Sequence, residues 1–289
     1  MLFISSQIGD SHVPTNRNAI VSMVIGDNFI KQWVGLCQGE WVNYAKRHGF
    51  DIIMINRPLD ESGYAASRSP AWQKLLILDQ PWAAKYERII WLDSDILINP
   101  TAPNILGSVP DHTHVGVPVG SRDHESPILH AVNERLYNVK ILPEEWPGTH
   151  RAINGSIFRD TINVDLDDSF CMFCTGVLVV SPKYHREIFL RSYNNYNSES
   201  RLYEQPALSY EICKSGKVTE FSTRFNWMPM LMMLLYFPEF WSTPFTKEKY
   251  LEMLPMLRKE FAISYFLHFA GCGGLMKFIS PEDLYPPIR

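Results

Sequence analysis

The chain has 289 residues, enough for one large α/β domain or two smaller ones, and its 46% hydrophobic and 20% charged residues exclude a disordered chain. The net charge is −4 without a Lys/Arg cluster, which argues against a nucleic-acid-binding protein because such a protein needs a basic surface to neutralise phosphates. Aromatic residues reach 13%, which fits a large core or a surface that stacks on sugars or bases.

The predicted elements alternate between strand and helix over the first hundred residues. Residues 1–17 are expected to form an N-terminal arm. Short β-branched apolar runs predict strands at 19–25, 50–55 and 88–98. Helical spacing of apolar residues predicts helices at 29–48 and 70–78. This order implies an α/β protein with a mostly parallel, Rossmann-like central sheet flanked by helices.

The second half of the chain is less regular. Residues 101–168 are rich in Pro and Gly and contain few periodic segments. A buried strand is predicted at 173–181 and a helix at 203–213, and a late apolar run at 262–269 precedes a glycine cluster. Because neither an internal repeat nor a clean domain boundary is visible, a single domain over residues 1–289 is expected.

Targeting and cysteine signals point to a reducing compartment. Residues 1–12 lack the basic and apolar regions of a secretory signal. The most apolar window, 227–241, is too short to span a bilayer and is interrupted by prolines. An odd number of cysteines, five, favours free thiols over a disulfide framework. We therefore expect a soluble cytoplasmic protein, with peripheral contact between the apolar window and a membrane left open.

The sharpest chemical feature is Asp93-Ser94-Asp95, which directly follows the apolar run at 89–92. The carboxyl ends of parallel strands are where α/β sheets bind ligands. In an extended strand the two carboxylates would lie roughly 7 Å apart, so one ion can bind both only if the backbone turns there. Oxygen ligands favour Mg²⁺ or Mn²⁺, which also hold a diphosphate. The alternative is a capped turn with two solvated aspartates.

Two further features have weaker signals. His268 is followed by Gly271, and it could ligate Mn²⁺ while the glycine lets the backbone approach a phosphate, or it could be a core histidine. Glu204-Gln205 precedes an apolar run and indicates the start of a helix. Trp227 and Trp241 flank a Met-rich segment that fits core packing, an acceptor platform or a membrane contact.

These pieces, in this order, resemble glycosyltransferases of the GT-A fold. The resemblance is closest to glycosyltransferase family 34, the galactosyl-, mannosyl- and xylosyltransferases, with kinship to family 8. It covers roughly residues 19–277, and the YAxRHG and SPAWxK stretches are much more specific than DxD. The matching segments are VIGD at 24–27, NYAKRHGF at 43–50, SPAWQK at 69–74, IWLDSD at 90–95, TGV at 175–177, EQ with AL at 204–208, and HFAGC at 268–272.

The resemblance implies transfer of a hexose or pentose from a nucleotide-sugar, usually UDP-linked, to a hydroxyl of a glycan or a lipid-linked glycan, with retention of configuration. It implies a Mn²⁺ or Mg²⁺ site at Asp93, Asp95 and His268. It also implies a nucleotide-sugar-binding core at 18–181, and an acceptor side with the C-terminal metal ligand at 182–289. A homodimer is left open.

The resemblance also implies roles for individual residues around this site. Gln205, with Glu204 beside it, would lie beneath the donor sugar at the reacting face. The donor would be bound by Val24, Ile25, Gly26, Asp27, Lys74, Asp93, Ser94, Gly271 and Lys277. Relatives often carry a lysine five or six residues after the metal histidine, where this chain has Gly273 and Gly274. Diphosphate binding through glycine amides and binding through Lys277 therefore both stay open.

Two rival functions follow from the same residues. Phosphotransferases of the haloacid-dehalogenase superfamily also place DxD after an apolar strand, but a Thr or Val is expected where this chain has Leu97. A catalytically inactive, sugar-binding scaffold of the GT-A fold is the second rival. The presence of Asp93, Asp95 and His268 together argues against it, because a pure sugar binder needs no diphosphate clamp.

Overall fold

The computed structural model describes residues 2–4, 8, 11–118, 161–164, 172–197, 202–242 and 244–284. The strands in this part of the chain are β1 (Leu2–Ile4), β2 (Asn18–Met23), β3 (Phe50–Ile55), β4 (Arg88–Leu92), β5 (Ile96–Ile98), β6 (Val115–Pro118), β7 (Val177–Val180), β8 (Val218–Phe221) and β9 (Phe266–His268). The α-helices are α1 (Asp27–Leu36), α2 (Gln38–His48), α3 (Gly63–Ala66), α4 (Pro182–Asn195), α5 (Gln205–Ser215), α6 (Pro229–Tyr236), α7 (Lys247–Ile263) and α8 (Pro281–Leu284). Short 3-10 helices lie at Pro70–Asp79, Ala83–Lys85, Ile105–Ser108, Thr223–Asn226, Pro238–Ser242 and Gly273–Phe278.

Seven of these strands form one mixed sheet in the order β1-β3-β2-β4-β7-β6-β8, and β5 and β9 form a separate two-stranded sheet. The strands β1 to β4 of the large sheet run parallel, β7 is antiparallel to both of its neighbours, and β8 is parallel to β6. The expected mostly parallel central sheet flanked by helices is confirmed. Leu2–Ile4, inside the expected N-terminal arm, pair with β3 as an edge strand.

Both faces of the large sheet are covered by apolar side chains. In β4, Ile90 and Leu92 belong to one core, whereas Ile89 and Trp91 belong to a second core. Successive side chains of a strand point to opposite faces, so one continuous apolar run supplies both cores. This explains why residues 89–92 are all hydrophobic. The polar residues 93–95 that follow them lie at the edge of the sheet.

The predicted helix 29–48 is two helices that meet at Cys37. The bend brings Trp33 and Trp41 edge to face, with ring centroids 5.6 Å apart, and both indoles are buried. The second helix ends at Gly49, whose φ of 72° is the left-handed conformation expected of a C-terminal glycine. The predicted helix 70–78 is a 3-10 helix that Ser69 caps through the N–H of Ala71.

The predicted strand 88–98 is interrupted. It leaves the large sheet after Leu92, turns at residues 93–95, and continues as β5 in the small sheet. The turn therefore lies at the aspartates themselves, which is the condition for one ion to bind both. Much of the irregular segment predicted at 101–168 lies outside the described residues. None of the described helices combines the length and the apolar character needed to cross a membrane.

Candidate active site

The turn after β4 brings together three side chains that could hold a metal ion. Asp93 donates its N–H to the carbonyl of Gly176 at 2.8 Å, which fixes the start of the turn. Antiparallel pairing of β5 with β9 sets Ile96 opposite His268, and Phe269 donates its N–H to the carbonyl of Asp95 at 3.0 Å. The small sheet thus places a histidine from the C-terminal part of the chain against aspartates 175 and 173 residues earlier.

The three side chains form a compact cluster. His268 Nε2 lies 3.2 Å from Asp95 Oδ1 and 3.8 Å from Asp93 Oδ2, and one candidate ligand atom from each residue lies within 4.8 Å of the others. His268 is buried, whereas both aspartates are about one third exposed and open to solvent. Two carboxylates and one imidazole offer oxygen and nitrogen donors that fit a divalent cation such as Mn²⁺ or Mg²⁺.

Electrostatics of the cluster favour a positive charge at its centre. Burial opposes a charge on the imidazole, but the Asp95 carboxylate dominates and raises the pKa of His268 well above its usual value. Burial likewise opposes ionisation of Asp95, yet His268 lowers the pKa of that carboxyl. A proton on His268 therefore balances the carboxylates in the metal-free protein, and a cation that binds through Nε2 must displace that proton.

Three glycines make room for side chains in and around this cluster. A Cβ on Gly176, the residue before β7, would lie 2.2 Å from His268 Cε1, so only glycine lets the imidazole lie this close to the backbone. Gly271 has a φ of +73°, and a Cβ there would lie 2.6 Å from Met230 Sδ. Gly273 lies beside the carboxylates, since a Cβ there would be 3.9 Å from Asp95 Oδ2. Of the glycines that follow His268, Gly273 is therefore the one whose Cβ position faces Asp95.

Lys74 connects the aspartate turn to the start of α5. Its ammonium lies 2.8 Å from Glu204 Oε1, 3.1 Å from Asp93 Oδ1 and 3.3 Å from the carbonyl oxygen of Thr175. An ammonium has three N–H donors, so these three acceptors can use all of them. Burial opposes the charge, but Asp93 and Glu204 raise the pKa of Lys74, which keeps it protonated. The predicted contact of Lys74 with a donor sugar stays a prediction.

Glu204 and Gln205 reach the same site through Thr175. The hydroxyl of Thr175 donates to Glu204 Oε1 at 2.8 Å, and its N–H donates to Gln205 Oε1 at 3.4 Å. Glu204 is 1% exposed, and its Oε2 has no hydrogen-bond partner among the described residues. Gln205 is half-buried and donates from Nε2 to the carbonyl of Leu202 at 3.3 Å. The structure thus brings Glu204 into direct contact with Lys74 and connects Gln205 to Lys74 through Thr175.

The predicted nucleotide-binding segment follows the neighbouring strand. Val21 pairs with Trp91, so the carboxyl end of β2 lies beside that of β4. Val24 is buried and donates its N–H to Ile55, Ile25 is half-buried, and Gly26 and Asp27 are exposed at the start of α1. This edge offers backbone groups next to the aspartate turn, as expected for a ligand site of a parallel sheet.

The remaining predicted donor-binding residues lie around the turn. Ser94 accepts a hydrogen bond at its carbonyl from the Cys37 thiol at 3.6 Å. Lys277 is exposed in the 3-10 helix Gly273–Phe278, with its ammonium 4.8 Å from the centroid of the Phe278 ring. Gly273 is thus the residue of this segment that lies against Asp95, and the choice between glycine amides and Lys277 for a diphosphate stays a prediction.

Sequence reasoning missed several residues of the site. Trp91 donates its indole N–H to Asp93 Oδ1 at 2.7 Å, although its apolar run indicated only core packing. Asn226 Oδ1 lies 2.8 Å from His268 Nδ1, and no motif in the sequence points to it. Cys174 Sγ lies 4.0 Å from the same Nδ1. The matched segment Thr175-Gly176 was the sequence signal for this part of the site. Thr175 contacts Lys74, and Gly176 lies against His268.

The predicted acceptor platform is only partly described. Trp227 is half-buried and its indole N–H donates to Glu260 on α7. Phe237 and Phe240 stack with centroids 5.4 Å apart, and Phe240 is buried. The side chain of Trp241 lies outside the described residues. The half-buried and buried aromatic residues fit core packing, and the platform itself stays a prediction.

Comparison with known proteins supports the fold. A scan of protein-family models finds no match, and neither does a search of curated proteins. Solved structures do match. One is a glycosyltransferase involved in the glycosylation of the major capsid of PBCV-1, with 16% identity, a TM-score of 0.50, and coverage of 91% of this chain and 99% of that chain. Another is the bifunctional glycosyltransferase WbbM in its apo structure, with 14% identity, a TM-score of 0.52, and coverage of 95% of this chain and 52% of that chain.

The chain has the GT-A type fold. Its seven-stranded, mostly parallel sheet is the architecture that the sequence resemblance implied, and the solved glycosyltransferases share it. This chain spans about half the length of WbbM and nearly all of the PBCV-1 protein. At such low identities the shared feature is the fold, so a function must be argued from the residues of the site.

Proposed function

We propose that this protein is a divalent-metal-dependent glycosyltransferase that moves a hexose or pentose from a nucleotide-sugar, UDP-linked by preference, to a hydroxyl of a glycan or lipid-linked glycan. One observation carries the proposal. Asp93, Asp95 and His268 converge at the carboxyl edge of a GT-A type sheet, and the Glu204-Gln205 pair is joined to Asp93 through Lys74 and Thr175.

The metal would be held by Asp93, Asp95 and His268, whose donor set fits Mn²⁺ or Mg²⁺. When bound, such a cation offsets the negative charge that develops on a departing nucleoside diphosphate. Its charge also explains how a chain with net charge −4 and no basic patch could bind a diphosphate. Ser94, the segment Val24 to Asp27, and the glycines near 271–274 or Lys277 would bind the rest of the donor.

Lys74 would act mainly by binding neighbouring protein groups. Its three acceptors hold Asp93, Thr175 and Glu204 in one arrangement, so the carboxylate that faces the cation and the helix that carries Gln205 keep a fixed separation. Preorganised charges stabilise a transition state better than groups that must reorient, because no reorganisation is needed during the reaction.

Gln205 and Glu204 would lie next to the sugar carbon that reacts. The sugar develops oxocarbenium character, and a carboxamide oxygen or a carboxylate stabilises that positive charge. An amide oxygen is a poor nucleophile, so we favour attack by the acceptor on the face that the diphosphate leaves, which retains the configuration. The protein would work in the cytoplasm, with membrane contact through residues 227–241 when the acceptor is lipid-linked.

The test is a screen of nucleotide-sugars by thermal shift with and without Mn²⁺, followed by assay of nucleoside diphosphate release. A ligand that binds the native state raises apparent stability, so the true donor should raise Tm more with Mn²⁺ than without it. Asp95→Ala should remove that metal-dependent shift and turnover, whereas Asp79→Ala, at an exposed aspartate paired with Arg186, should keep both.

Three results would contradict the proposal. Phosphate release from a phosphomonoester without diphosphate release from any nucleotide-sugar would favour a phosphotransferase. Donor binding without turnover in the presence of acceptors would favour an inactive sugar-binding scaffold. Turnover by Asp95→Ala at the wild-type rate would remove the aspartate turn from the reaction.

A further inference from the structure

The side of His268 that faces away from the aspartates has its own polar environment. Asn226, the last residue of the 3-10 helix Thr223–Asn226, is 6% exposed and places Oδ1 2.8 Å from His268 Nδ1. The opposite ring nitrogen, Nε2, lies 3.2 Å from Asp95. The two nitrogens of one buried imidazole therefore have different partners: on one side the amide oxygen at 2.8 Å, with the Cys174 sulfur farther away at 4.0 Å, and on the other side the carboxylates.

An amide oxygen can only accept a hydrogen bond, so Nδ1 must carry the proton in this contact. In a neutral imidazole the other nitrogen, Nε2, then has the lone pair. That lone pair is directed at the space between Asp93 and Asp95, where a cation would bind. If Nδ1 lost its acceptor, the neutral ring could place its proton on Nε2 instead, and it would then present a donor to the metal site.

Asn226 is itself held in place. The next residue, Trp227, donates its N–H to Phe266 at 3.0 Å and accepts from the His268 N–H at 2.8 Å. These backbone bonds tie the end of the 3-10 helix to β9, so Asn226 and His268 are fixed relative to each other.

We propose that Asn226 is a positioning residue for the metal-binding histidine: it holds His268 in the tautomer and orientation that direct Nε2 between Asp93 and Asp95. This inference rests on the metal site of the proposed function. It assigns a role to a residue that no motif indicated, and the role is a general one, because hydrogen-bond partners of metal ligands set their orientation and basicity.

The experiment measures Mn²⁺ affinity by titration of the free-ion EPR signal in wild type, Asn226→Ala, Asn226→Asp and Asn99→Ala. Loss of such a partner weakens metal binding by about 10- to 100-fold, which is the expected change for Asn226→Ala. Asn226→Asp keeps an acceptor oxygen and should bind Mn²⁺ within a few-fold of wild type. Asn99 is a matched control, because it is also 6% exposed and hydrogen-bonded, to the Phe261 carbonyl and Thr101.

Thermal unfolding without metal separates positioning from general damage. Asn226→Ala and Asn99→Ala should lower Tm by similar amounts, whereas only Asn226→Ala should weaken Mn²⁺ binding. Equal Mn²⁺ affinity in Asn226→Ala and wild type would overturn the positioning role, and so would an Asn226→Asp variant as weak as Asn226→Ala. Absence of Mn²⁺ binding in wild type would overturn both this inference and the metal dependence of the proposed function. Normal Mn²⁺ results without sugar transfer would overturn only the proposed function.

Discussion

Replacement of Lys74 by methionine tests whether this buried cation holds the site together. Methionine keeps much of the length and apolar contact of the lysine stem but removes the charge and all three N–H donors. Glu204 is 1% exposed and would keep only the Thr175 hydroxyl on Oε1, with Oε2 still without a described partner. Asp93 would suffer less, because its side chain is 31% exposed and water can solvate it.

The expected loss therefore comes mainly from Glu204. Removing one partner of a buried ion pair costs about 3–5 kcal/mol, because the other charge is left without compensation. For a chain of this size each kcal/mol lowers Tm by roughly 2–4 °C, so Lys74→Met should unfold roughly 6–20 °C below wild type. Lys277→Met is the matched control, since that lysine is exposed and its loss should change stability by less than about 0.5 kcal/mol.

Urea unfolding of wild type, Lys74→Met, Glu204→Gln and the double variant measures the interaction free energy between Lys74 and Glu204. The double variant has no orphaned Glu204 charge, so it should be more stable than the sum of the two single losses predicts. A loss below about 1 kcal/mol in Lys74→Met, or strict additivity in the cycle, would refute the reasoning that Lys74 compensates Glu204.

Other predictions address the histidine, the reaction centre and the pH dependence of stability. Gly176→Ala should weaken Mn²⁺ binding by displacing the His268 ring, and unchanged affinity in a Mn²⁺ titration would contradict the close contact. Gln205→Ala should lower kcat much more than KM in a donor-release assay, and an unchanged kcat would remove it from the reaction centre. Burial lowers the pKa of His185 to about 4, and the neutral ring accepts the Ser181 N–H at 2.8 Å. Stability from this group is complete above about pH 6.5 and falls by up to about 3 kcal/mol as pH drops towards 4. His185→Gln should flatten this pH dependence of urea unfolding, and an equally steep fall would refute it.

The sequence predicted β2, β3 and β4 of the parallel half of the fold well because these strands are buried on both faces. An unbroken apolar run such as 52–55 or 89–92 needs no partner information to be recognised as a strand. The antiparallel position of β7 and the pairing of β5 with β9 could not be read in this way, because both depend on contacts between distant segments. The edge strand Leu2–Ile4 was missed since three residues carry no periodicity.

The site shows the same division between local and distant information. Asp93, Asp95 and Lys74 stand in motifs whose residues are close in sequence, and the structure places all three at one edge of the sheet. Asn226 has no such motif, because its function is defined only by a side chain 42 positions away. The contact becomes visible only in the structure, where the imidazole lies between Asn226 and Asp95.

The turn at residues 93–95 links the fold to the proposed chemistry. A straight continuation of β4 would keep the two carboxylates roughly 7 Å apart and leave β5 in the large sheet. By turning there, the chain brings Asp93 and Asp95 to one cation-sized space and frees Ile96–Ile98 to pair with the strand that carries His268. One change of direction therefore assembles all three ligands. Substitutions that disturb the pairing of β5 with β9 should consequently weaken Mn²⁺ binding even where no ligand is altered.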